Sequence, residues 1–189
     1  LAGFSDRAGA PVRIFRLPGV FGKWCRPKYN SVVATFCHNI ARDLPIEVSD
    51  PGRAVTLVHV DDVVASFLAE LTDTTSAGVA CRAVQPAFTV TLGDLERHLR
   101  AFRAARQTLH APDCSDPFVR RLYGTYQSYV PENDLAYDLE SRTDARGVLA
   151  EMVKSPRAGQ IFVSRTKPGV TRGNHYHDLK VERDRKSVV

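Results

Sequence analysis

Near the C-terminal end of the chain, Gly169 is followed after five residues by His175-Tyr176-His177 and, after four more, by Glu182. On a strand, side chains alternate with period two, so His175 and His177 point to one face and Tyr176 to the other. A carboxylate a few residues on can close in on the same point. Two imidazoles and a carboxylate form a donor set for zinc or a similar divalent cation. The plain alternative is a pair of exposed strand histidines; their shared face, with Glu182 behind it, favours the cation. Such an ion could act as a Lewis acid, or it could be structural only. Lys167 and Arg172 lie beside the motif. A cation there could meet a substrate pyrophosphate, or it could be a solvated charge.

The elements that must carry these groups show two textures. In the first, strands and helices alternate, which predicts α/β architecture. Residues 12–17, between Pro11 and Pro18, read as a buried strand closed by a Pro18-Gly19 turn. Asn30 or Ser31 is expected to cap a helix that buries Val33, Phe36, Cys37 and Ile40. Residues 55–60 read as a second strand, and Asp61-Asp62 as the cap of a helix carrying Val64, Phe67, Leu68 and Leu71. Residues 78–84 read as a third strand. Thr91 and Asp94 resemble a capping box ahead of a helix that buries Leu92, Leu95, Leu99 and Phe102. Asp116-Pro117 opens another helix, with proline in its first turn. Arg16 ends a strand read as buried and so needs a partner, for which Asp61 and Asp62 are candidates. The second texture begins after the turn cluster Pro131-Glu132-Asn133-Asp134. Short strand-like runs at 136–139, 148–153 and 160–164 suggest an all-β unit, with Asp144 and Arg146 as a turn pair.

At 189 residues the chain can hold one ordinary domain or two small ones, and 43% apolar with 25% charged residues is the balance of a globular protein. No apolar run reaches the length of a membrane span, so no membrane is expected. Cys25, Cys37, Cys81 and Cys114 match neither a zinc nor a disulfide spacing, so reduced thiols and a cytoplasmic setting are expected. The net charge of +5 is dispersed except at residues 183–186, which argues against nucleic acid and suits a small anion such as a nucleotide. The chain begins with Leu1 rather than Met, and is expected to be a fragment.

Two further stretches carry a resemblance. Arg16-Leu17-Pro18-Gly19-Val20-Phe21-Gly22 resembles the strand-to-loop signature of extended short-chain dehydrogenase/reductases, and Val58-His59-Val60-Asp61-Asp62-Val63 a later strand–helix junction of that group. The run from Lys23 to Ile40 is similar to the CapF family of capsular polysaccharide synthesis enzymes, as are Tyr126 to Pro131, Asp144 to Gly147, Ser164 to Gly169 and Arg172 to His177. The histidine motif itself is similar to the first metal motif of cupin barrels.

The resemblance implies a fold and a set of roles. The fold is the C-terminal part of a Rossmann-type reductase over 1–130, followed by the N-terminal strands of a cupin barrel over 131–189. The parent reaction is C3 epimerisation of a UDP-4-keto-6-deoxy-hexosamine by the cupin, then NADPH-dependent reduction at C4 toward UDP-N-acetyl-talosamine, on the route to N-acetyl-fucosamine. Implied site residues are Pro18, Gly19 and Val20 at the nicotinamide; Asn30, Ser31, Lys167 and Arg172 at the sugar nucleotide; and His175, His177 and Glu182 at Zn2+. The parent is expected to be a homodimer. The reductase Tyr and Lys are expected upstream of Leu1, and the second cupin motif downstream, so the chain alone is expected to be inactive. After Glu182 the charged residues 183–186 depart from the apolar strand of the family, and Lys28 stands where Asn is expected. The alternatives are another extended short-chain sugar-nucleotide dehydratase or epimerase with a non-catalytic cupin, or an inactive piece that only docks on partners.

Overall fold

The computed structural model describes residues 2–72, 78–155, 159–171, 176, 178 and 181–183. Its architecture is mixed α/β. Helix α1 (Ala2–Ala8) leads into β1 (Val12–Phe15) and β2 (Gly19–Phe21). Then follow α2 (Val32–Ile40), β3 (Ala54–His59), α3 (Val60–Thr72), β4 (Val79–Arg82), β5 (Ala87–Thr91), α4 (Leu92–Thr108) and α5 (Pro117–Gln127). A single 3-10 turn at Glu132–Asp134 separates these from β6 (Ser141–Asp144), β7 (Gly147–Ser155) and β8 (Gly159–Thr166).

Three helices start where their side chains satisfy orphan backbone donors. The Ser31 hydroxyl accepts from the Ala34 N–H at 3.2 Å, so Ser31 rather than Asn30 is the cap of α2. Thr91 accepts from the Asp94 N–H at 3.0 Å. Asp116 accepts from the N–H groups of Phe118 and Val119, with Pro117 in the first turn of α5. These three helices and the sheet β2-β3-β5 enclose the main core, in which Leu95, Leu99, Leu122 and Cys37 are fully buried. A fully buried leucine contributes about 2 kcal/mol. Leu92, expected in this core, is only half-buried at the helix start.

A second, smaller core of Val58, Val63 and Val84 lies under the two-stranded parallel sheet β1-β4. Glu70 on α3 clamps that sheet. It accepts from Arg13 at 2.6 Å and also from Arg82, and the Arg82 hydrogen bond chiefly holds its carboxyl below the usual range.

Several expectations need correcting here. Strand β1 is half-buried rather than buried, and ends at Phe15. Gly19 already belongs to β2, so there is no Pro-Gly turn of the expected kind. Arg16 is exposed, which removes its need for a partner; the carboxylate of Asp62 is taken by Arg121 instead. The expected stripe on α3 is exposed, with Val64 at 49%, Leu68 at 57% and Leu71 at 79%, and only Val63 is buried. Phe67 rests on Phe15, with ring centroids 4.5 Å apart, but no described layer covers the rest of that face. Strand β5 was not anticipated. Residues 136–139 form no strand; the first strand of the last unit begins at Ser141.

That last unit is an antiparallel sheet, β6-β7-β8. Asp144 shapes its first turn: its carboxylate accepts from the Arg146 and Gly147 N–H groups and from the Arg146 guanidinium. The sheet is tied to the end of α4. Lys154 on β7 exchanges backbone bonds with Leu109 at 2.7 Å and Ala111 at 2.8 Å, and Arg106 donates to the Ala136 carbonyl at 2.9 Å. Among the described residues no helix is long and apolar enough to cross a membrane.

Candidate functional site

Strands β2 and β3 run parallel, in register from Gly19↔Leu57 to Phe21↔His59. Their carboxyl ends deliver two segments to one edge, the loop 22–31 and the start of α3. Open α/β sheets seat ligands at this edge. The two segments pass close together at Gly22, where an added Cβ would collide with the Val60 side chain and force it to move. His59 is 6% exposed and meets the Phe21 ring edge-on at 5.2 Å. Its Nδ1 accepts from the Asp61 N–H at 3.3 Å, which leaves the proton on Nε2 when the ring is neutral. Burial holds its pKa below the usual imidazole value, against the pull of Asp61 and Asp62.

Beside it, Arg121 of α5 donates to Asp62 Oδ1 at 2.9 Å and lies over the Phe88 ring at 5.6 Å. Asp62 Oδ2 is buried without a hydrogen-bond partner among the described residues. A buried orphan oxygen on an ion-paired carboxylate is costly, and water or a ligand donor would relieve it. The arrangement sets a largely buried imidazole beside a carboxylate–guanidinium pair at the start of α3.

The expected residues of this half fall as follows. Pro18 lies on the link from β1 to β2, while Gly19 and Val20 open β2 itself. A Cβ at Gly19 would meet Leu57 Cδ2 at 3.0 Å and the Thr56 carbonyl at 3.3 Å. Close packing on β3 therefore accounts for this glycine whether or not a ligand approaches. Asn30 is exposed and Ser31 caps α2, both at the end of the loop. His38, on the same helix, is half-buried, with Nδ1 3.2 Å from Asn39 Oδ1, in keeping with a packing role.

The second expected set is only partly described. Lys167 is exposed; its N–H donates to the Arg146 carbonyl at 2.9 Å and its carbonyl accepts from Val170, a turn in which Gly169 has φ +76°. Arg172, His175 and His177 lie outside the described residues. Glu182 is described and exposed. No group of three or more possible metal ligands occurs among the described residues, where neither histidine of the motif is included. By donor chemistry alone, two imidazoles and a carboxylate suit a borderline cation such as Zn2+.

Sequence reasoning did not find the His59–Asp62–Arg121 arrangement as a unit. Asp62 and Arg121 are 59 residues apart, and no local pattern joins them.

The family profile described as Polysaccharide biosynthesis C-terminal domain matches residues 142–185. The chain is 45% identical over 175 residues to a UDP-2-acetamido-2,6-beta-L-arabino-hexul-4-ose reductase of Pseudomonas aeruginosa, covering 93% of this chain and 47% of that protein. It superposes on the crystal structure of the capsular polysaccharide assembling protein CapF from Staphylococcus aureus with a TM-score of 0.82 and 42% identity, over 93% of this chain and 47% of that one. A UDP-glucose 4-epimerase from Thermotoga maritima matches at a TM-score of 0.55 and 18% identity, over 67% of this chain and 48% of that one, and shows a shared fold only. The chain thus spans about half the length of the relatives it matches. Over the length it shares with them, the chain is similar to the CapF capsular polysaccharide proteins.

Proposed function

We propose that this chain is a working part of a two-step UDP-sugar enzyme of capsule or O-antigen synthesis. The carrying observation is the 45% identity, over 93% of the chain, to a reductase acting on a UDP-linked 4-ketohexose derivative. In this reading residues 1–130 complete a Rossmann-type reductase domain and 131–189 open a cupin. The likeness in fold to a UDP-glucose 4-epimerase supports the first assignment, and the antiparallel sheet β6-β7-β8 supports the second. The cupin half epimerises C3 of a UDP-4-keto-6-deoxy-hexosamine, and the reductase half then reduces C4, giving a UDP-N-acetyl-talosamine product. The parent works as a homodimer in the cytoplasm.

NADPH supplies the hydride when bound. The chain's contribution there is positional: the run Pro18, Gly19 and Val20 sits where backbone groups can approach a flat carboxamide. Asn30 and Ser31 stand at the edge of the sugar-nucleotide site, and Lys167 and Arg172 offer charge to its diphosphate. Zn2+, held by His175, His177 and Glu182, would supply Lewis acidity toward the C4 carbonyl.

The test puts this chain in place of the matching segment of the Pseudomonas aeruginosa relative, keeping that protein's flanking parts on both sides, and follows NADPH oxidation with the UDP-4-keto-hexosamine. The joined chain is expected to oxidise NADPH, and the chain alone to leave it unchanged. A joined chain that folds cooperatively yet stays silent, beside an active intact relative, overturns the reading.

A further inference from the structure

The loop after β2 carries an arrangement that the packing of the fold does not use. Residues 22–30 contain Lys23, Arg26 and Lys28 and no carboxylate. Lys23, Arg26 and Lys28 make no ion pair among the described residues. Two large rings stand in the same run, Trp24 at 81% and Tyr29 at 73% exposure. The Arg26 guanidinium lies 5.8 Å from the centroid of the Tyr29 ring.

The backbone beneath them is anchored. The Trp24 N–H donates to Ser128 Oγ at 3.4 Å, the Tyr129 hydroxyl donates to the Cys25 carbonyl at 2.6 Å, and the Lys28 N–H donates to Thr35 Oγ1 at 2.9 Å. Trp24 and Lys28 hold φ values of 61° and 55°, a region that side chains other than glycine rarely adopt. The rings are therefore exposed on a held backbone, at the carboxyl edge of parallel β2 and β3. Exposed aromatic faces with unpaired cations on a fixed loop match a planar ring that carries phosphates: the ring stacks, and the cations meet the anionic oxygens.

We propose that the loop 22–30 seats the nucleotide moiety of the substrate, with Trp24 and Tyr29 flanking the uracil ring and Lys23, Arg26 and Lys28 meeting the diphosphate. This rests on the reading of the substrate as a UDP-sugar.

Trp24 is the chain's single tryptophan, so its emission reports on this loop alone. UDP titrated into the chain is expected to quench that emission saturably, and inorganic pyrophosphate to displace UDP only weakly. In equilibrium dialysis with labelled UDP, Trp24→Ala is expected to raise Kd about tenfold or more. Arg26→Gln with Lys28→Gln is expected to raise Kd and to flatten its dependence on salt. Far-ultraviolet circular dichroism and a cooperative melt check that each variant folds.

UDP held equally by the native chain and by folded Trp24→Ala overturns the proposal and leaves the UDP-sugar reading intact, with its nucleotide elsewhere. An equal response to ADP overturns the uridine assignment. No UDP bound by the native chain also overturns the proposal, and the NADPH assay of the joined chain then decides separately whether the UDP-sugar reading stands.

Discussion

At the scale of single residues, His59 and Asp62 are held on different terms. Burial lowers the His59 pKa, with Asp61 and Asp62 favouring its proton and Arg121 and Lys23 opposing it. Its folded pKa lies below the unfolded value of about 6.5. The unfolded chain thus takes up the proton first, and stability present above that pH is lost as pH falls toward the folded pKa. His98, also depressed chiefly by burial, adds to the same trend. The melting temperature is expected to drop between about pH 7 and pH 5, and His59→Gln to flatten that drop. Thermal melts of both proteins across this interval check it, and an unchanged slope counts against the assignment. Arg121→Ala is expected to cost about 1–2 kcal/mol, because it takes the ion-pair partner from the half-buried Asp62 carboxylate. Denaturant unfolding of the variant measures this.

At the scale of elements, caps and tight turns carry predictions of their own. Asp116→Ala removes the acceptor for two backbone donors of α5, and about 1 kcal/mol of stability is expected to go with it. Gly147 has φ +145°, and an added Cβ would collide with the Arg165 carbonyl on the neighbouring strand. Gly147→Ala is expected to cost about 2 kcal/mol or more, and hydrogen exchange should show the loss concentrated in β7 and β8.

The same elements show how much the sequence disclosed. Ser31, Thr91 and Asp116 announced their helices because capping is local, read within three residues. The Asp144–Arg146 turn was legible for the same reason. Strand β5 escaped notice because Thr91 ends it and caps the next helix at once. The exposed stripe on α3 escaped because periodicity reports that a face is apolar, not whether anything described covers it. The candidate site was half legible. The run 18–31 drew attention through its own residues, whereas Arg121 reaches Asp62 from a distant helix.

At the scale of the whole molecule, two apolar surfaces stand open among the described residues. One is the α3 face of Val64, Leu68 and Leu71; the other is β8, with Ile161 at 60% and Val163 at 59% exposure. Exposed apolar patches of this kind associate. Sedimentation of the chain at rising concentration is expected to show self-association, and Leu68→Glu with Leu71→Lys to reduce it. A monodisperse monomer throughout would show that neither face is adhesive.

The exchange of backbone bonds between Lys154 and the residues after α4 has a mechanical consequence. Helix α4 starts directly from β5 and, at 17 residues, is about 25 Å long. It is a strut with one foot in each sheet. A swivel of the antiparallel sheet has to drag the foot at Leu109 with it, or else break the Lys154 clasp. Torque arising at the far strands is thereby delivered to the sheet whose edge carries the loop 22–31.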